Sequence, residues 1–89
     1  MKDKSMDKIK KHYFLCINDK KYKVLSHELD IDKSLFVIKT KISGQDFPYG
    51  DNMSLAVSDE KGDIKNITVD FRGSFKNEKI ESWEYTVLN

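Results

Sequence analysis

The side chains best suited to hold a metal are His12, Cys16 and His27. Structural zinc takes four ligands, usually in close pairs such as Cys-x-x-Cys. His12 and Cys16 stand four apart in an apolar run of strand character, which separates their Cα atoms by roughly 13 Å. One ion cannot bridge that span, and His27 lies further along among apolar neighbours. Asp30-Ile31-Asp32-Lys33-Ser34 opens like a calcium loop. Its sixth position, however, is Leu35 where the turn needs glycine, and its twelfth is Lys41 where the ion needs glutamate. A nucleophile is no better served. Cys16 sits inside Tyr13-Phe14-Leu15-Cys16-Ile17, where a thiol packs as a small hydrophobe. No serine occupies a Gly-x-Ser-x-Gly elbow, and four scattered glycines make no phosphate cradle. Asp70 and Glu84 form the one conceivable acid–base couple, but Arg72 between them reads as a surface ion cluster. The expectation is a protein that is not an enzyme and uses no metal and no cofactor.

Contact is the better use of this chemistry, and residues 43–52 are placed to make it. This longest break in the apolar pattern holds Gly44, Gly50 and the single proline, Pro48. Gln45, Asp46, Phe47, Tyr49 and Asp51 are the candidate partner-binding residues, because loops carry binding groups and tyrosine is enriched at interfaces. The competing role for Phe47 and Tyr49 is to fold back and plug the end of a small barrel.

Strands must position that loop. Tyr13–Ile17 is apolar on both faces, as in a covered strand. A turn at Asn18-Asp19-Lys20-Lys21 leads to a second strand over 22–31. Its apolar residues change phase, with Tyr22 and Val24 even and Leu25, Leu29 and Ile31 odd. A period of two cannot accommodate that change, so a bulge or bend is predicted near Val24-Leu25. Asp32-Lys33-Ser34 turns the chain into a third strand, Leu35–Ile42, with Phe36, Ile38 and Ile42 inward. Met53–Ser58 makes a fourth, and Asp59–Asp63 makes a turn in which Gly62 can take a positive φ. The last hairpin alternates most clearly, with Ile67, Val69, Phe71, Gly73 and Phe75 against Trp83, Tyr85 and Val87. Pairing Lys76 with Ile80 sets Phe71 beside Tyr85, Val69 beside Val87, Arg72 beside Glu84 and Gly73 beside Trp83. It also avoids Asp70 against Glu84, since like charges destabilise a pair. In this register the Trp83 indole covers the bare backbone of Gly73.

The predicted architecture is all-β: six antiparallel strands in a meander that closes into a small barrel or a two-layer sandwich. Residues 1–11 form a flexible basic tail and residues 12–89 a single β domain. The first two strands, Tyr13-Phe14-Leu15-Cys16-Ile17 and Tyr22-Lys23-Val24-Leu25-Ser26, resemble the first hairpin of bacterial injection-machine tube proteins. That resemblance includes no diagnostic side chain and implies a role for none here.

Charge narrows the function. The net charge is +1 over 89 residues, but the first eleven hold five lysines and two aspartates, which leaves −2 for the rest. With a single arginine, Arg72, this is a poor phosphate binder, so nucleic acid is not the expected partner. One cysteine permits no internal disulfide, and no apolar run reaches the roughly seven residues of a signal-peptide core. The cytoplasm is therefore the expected compartment, without membrane contact. The expected function is a small non-catalytic protein–protein interaction module of inhibitor, immunity or adaptor type, or a component of a larger assembly. Exposed strand edges also allow a homo-oligomer. The alternatives are a ligand-binding barrel lined by Phe36, Ile38, Phe71, Trp83 and Tyr85, or a single-stranded nucleic-acid binder that stacks bases on its aromatics.

Overall fold

The computed structural model describes residues 13–41 and 45–88. The expected tail over 1–11 lies outside these residues, as do His12, the expected strand end Ile42 and the loop residues Ser43 and Gly44. Seven strands are present: β1 (Tyr13–Ile17), β2 (Lys20–Val24), β3 (Ser26–Asp30), β4 (Leu35–Lys41), β5 (Met53–Ser58), β6 (Ile64–Asn77) and β7 (Ile80–Val87). Six were expected. The difference falls at the phase change: the second strand breaks at Leu25, so its two halves become β2 and β3. Asn18 and Asp19, at φ 51° and 71°, form the tight turn between β1 and β2. Both residue types tolerate a positive φ, and such a turn matches the twist of a hairpin.

The strands form one antiparallel sheet in the order β2-β1-β5-β6-β7-β4-β3, curled into a half-barrel. A simple meander is thereby corrected. β1 takes β5 as its second neighbour and β4 takes β7, pairings between segments distant in sequence. The curl brings the β2–β3 bend back onto β4, where the Leu25 N–H donates to the Lys39 carbonyl at 2.8 Å. The interior is filled by the inward residues of successive strands, among them Leu15, Val24, Phe36, Ile38, Val69 and Tyr85, all essentially inaccessible to solvent. At about 25 cal/mol per Å² of apolar surface, this burial is the main term that holds so small a domain together.

The terminal hairpin keeps the expected register in one half only. Val69 faces Val87 and Phe71 faces Tyr85 as predicted, but the ladder slips between Phe71 and Gly73. Beyond that bulge Gly73 faces Glu84, Ser74 faces Trp83 and Asn77 faces Ile80. The predicted pairs Arg72–Glu84, Gly73–Trp83 and Lys76–Ile80 are therefore corrected. A two-residue turn at Glu78-Lys79 requires the shift, and Arg72 is the extra residue that absorbs it. Gly73, at φ +152°, supplies the backbone freedom. Its uncovered face meets the Phe75 ring, 3.3 Å from where a Cβ would stand, instead of the Trp83 indole. Phe75 moves to the outer surface as a consequence and is 54% exposed.

Candidate functional site

The loop between β4 and β5 is fixed along its described length, residues 45–52. Gln45 begins it with a side-chain amide that behaves like a strand. Its Oε1 accepts from the Lys23 N–H at 3.3 Å and its Nε2 donates to the Lys23 carbonyl at 3.0 Å. The same Nε2 reaches Thr40 Oγ1 at 3.1 Å, so Gln45 joins β2 to β4 across the seam of the curl. Phe47 then enters the core, stacked on Tyr22 at 4.3 Å between centroids and tilted against Trp83 at 5.2 Å. This is the plug, and it is 1% exposed. Tyr85 donates its hydroxyl proton to the Pro48 carbonyl at 2.7 Å. The Gly50 carbonyl accepts from the Phe71 N–H at 2.9 Å, and the Asn52 N–H donates to Asp70 Oδ1 at 2.8 Å.

These anchors sort the five sequence-derived contact residues. Gln45 and Phe47 face the protein. Asp46, Tyr49 and Asp51 face solvent, with Tyr49 71% exposed and its ring 6.2 Å from that of Phe71. The sequence contains two aromatics around one proline and does not say which turns inward. The buried partners decide it, because Tyr22 and Trp83 offer Phe47 two ring faces.

Burial also shapes the titration of the phenols next to the loop. Desolvation raises the Tyr85 pKa well above its ordinary value, and the nearby Tyr22 phenol adds to the rise. Desolvation likewise raises Tyr22, with a further contribution from the Asp46 carboxylate.

The other sequence candidates are spread out. Among the described residues no three of His, Cys, Asp and Glu converge on one point. Asp70 faces Thr86 and Glu84 faces Gly73, so these two carboxylates are not paired across the hairpin. Asp30 accepts from the Lys33 N–H at 3.1 Å, the turn role its place before Asp32 suggested. Trp83 and Tyr85 are core residues, 7% and 0% exposed, and offer no platform to a base. One orphan stands out: the buried Trp83 Nε1 has no hydrogen-bond partner among the described residues. Sequence reasoning missed the groove of about 400 Å³ beside β3, over Leu29, Phe36, Val57 and Ile67. Those residues come from four strands, and only the curl brings them together.

No helix among the described residues is long and apolar enough to cross a membrane. The class that the fold and this site define is a small all-β half-barrel with an anchored surface loop. No protein-family model, no curated protein and no solved structure matches the chain.

Proposed function

We propose that the protein is a non-catalytic protein–protein interaction module, of inhibitor, immunity or adaptor type or part of a larger assembly, acting in the cytoplasm. The observation that carries this reading is Tyr49. Among the described residues it is the most exposed of the large apolar side chains, and it stands on a loop anchored at Gln45, Phe47, Pro48, Gly50 and Asn52. Holding a loop in place before binding lowers the entropy lost on association. A tyrosine presented on this anchored loop between two carboxylates, Asp46 and Asp51, suits a partner with an apolar pocket and a basic rim. The interior weighs against the ligand-carrier reading, because Phe36, Ile38, Trp83 and Tyr85 pack the space a ligand would need. The single Cys16 suits a reducing compartment.

The test is photo-crosslinking in cells with a benzophenone side chain at position 49 and a control at position 79, in the β6–β7 turn. The expected result is one discrete adduct from position 49 and none from 79. Capture of that partner should fall at least tenfold in Tyr49→Ala, with the melting temperature unchanged. Equal adducts from both positions, or capture that survives Tyr49→Ala, overturns the assignment.

A further inference from the structure

β2 and β3 follow one another in the chain yet form the two ends of the sheet. An end strand presents alternate N–H and C=O groups that seek a neighbour. At β2 the Gln45 amide supplies one, bonding both the N–H and the carbonyl of Lys23. At β3 no described residue does so. The groove beside β3 has an apolar floor, with Phe36 and Ile67 buried and Leu29 and Val57 partly buried against the core. A strand edge beside such a floor is the arrangement in which an extended peptide adds as a further strand. The backbone ladder then gives affinity, and alternate side chains enter the groove.

The charges specify the peptide. The groove runs on past His27 toward Tyr13 and past Leu29 toward Ile31. Along its length four carboxylates, Glu28, Asp59, Glu60 and Asp63, stand against two lysines, Lys61 and Lys65. Within β3 itself Glu28 and Asp30 share the face opposite Leu29. A strand laid against this edge therefore meets Glu28 and Asp30 on one face, and His27 and Leu29 over the apolar floor on the other. Opposite charges directly across a ladder stabilise it, and like charges do the reverse. A second copy of β3 in full overlap would centre on Glu28 and set two glutamates face to face.

We propose that the β3 edge accepts an extended segment of another protein in which lysine or arginine alternates with aliphatic residues. This surface shares no residue with the Tyr49 loop, so either assignment can fail without the other.

The experiment uses the ¹⁵N-labelled full chain titrated with a capped heptapeptide, Lys-Val-Lys-Val-Lys-Val-Lys. The expected result is saturable shifts confined to residues 26–30 and 57–67. Binding should weaken at least tenfold with the matching Glu–Val heptapeptide and at least fivefold with Glu28→Lys, an exposed position whose change leaves the core intact. Of the two peptides methylated on one or the other alternate set of backbone nitrogens, one should lose binding, because every second N–H faces the β3 edge while charge and side chains stay. Absence of binding, shifts elsewhere, or unchanged affinity of both methylated peptides overturns the proposal. So does slow hydrogen exchange at the outward β3 amides before any peptide is added, because the chain's own N-terminal segment or a second copy would then hold the edge.

Discussion

The two halves of the β6–β7 hairpin are built from the same two strands and have opposite fates. In the half beyond the bulge toward Val87, both strands bury their alternating residues, and Val69, Tyr85 and Val87 are all inaccessible or nearly so. In the half toward the turn, β7 still buries Glu81 and Trp83, while every residue of β6 from Ser74 onward is exposed. Hydrophobicity does not explain this: the bulge turns Phe75 to the outer face, and on the inner face Ser74 and Lys76 are exposed while their partners Trp83 and Glu81 are buried. Neighbours do. β7 is flanked by β4 from Ile80 to Thr86, through the pairs Lys41↔Ile80 to Leu35↔Thr86. β6 loses β5 after Val69 and runs on with one partner only. In a curled sheet, burial follows the number of flanking strands before it follows the side chain.

The largest effect that separates the halves is truncation of a ring in each. Tyr85→Ala should cost about 4 kcal/mol, in the range for removing a buried aromatic, and more than the same change at an exposed ring. The domain as a whole has only about 5–10 kcal/mol to lose. Tyr85→Phe keeps the ring and gives up the bond to the Pro48 carbonyl, and should cost about 1 kcal/mol. Phe75→Ala should cost less than about 0.5 kcal/mol. Urea midpoints at constant m-value measure all three. If Phe75→Ala proves as costly as Tyr85→Ala, the outer half is covered in solution and the contrast is wrong.

The sequence shows the inner half and hides the outer one for a physical reason. Val69, Phe71, Tyr85 and Val87 alternate without interruption, and period two is a local signal. The slip at Arg72 is also local, but it is visible only as a parity conflict with the two-residue turn at Glu78-Lys79, and Gly73 was its single marker. The break at Leu25 announced itself in the same way and was predicted. Strand order is different. The β1–β5 and β4–β7 neighbours depend on how the whole sheet closes, and no residue in Tyr13–Ile17 or Leu35–Lys41 encodes its distant partner. The site follows this pattern: the loop could be found from Gly44, Pro48 and Gly50, but the division between Phe47 inside and Tyr49 outside required the core. The β3 groove could not be found at all, because its floor is drawn from four strands.

Alkaline pH tests the buried half at intermediate scale. Burial raises the Tyr85 pKa above 10.0, and Tyr22 shifts the same way. A raised folded-state pKa means that the native form keeps its proton while the unfolded form ionises. The associated stability is complete below pH 10 and declines as pH rises past it toward the folded values. Each phenol contributes at most about 1.4 kcal/mol per pH unit in that window. Stability should therefore be level from pH 7 to 9 and fall above 10, with a shallower fall in Tyr85→Phe. A profile unchanged by that substitution would show that the ring is wet.

The smallest effect is the sharpest, because it acts on the boundary itself. If Arg72 is only the residue that reconciles two registers, deleting it makes Phe71↔Tyr85 and Gly73↔Glu84 consecutive rungs of a regular ladder. Every side chain on either side keeps its face. The shortened chain should fold with a stability within about 1 kcal/mol of the original, and cross-strand nuclear Overhauser contacts should show the 69–87 and 74–83 pairs unchanged. Deleting Asp70 instead removes a residue from the regular half. That change either brings Arg72 opposite Tyr85 in the core or pulls Ile64–Val69 out of register with β5, and it also loses the bond to the Asn52 N–H. A charge without a partner in the core, or a strand turned over, destabilises far more than a lost bulge. Equal cost from the two deletions would mean that the hairpin has one register with a local distortion, and the division between its halves would not hold.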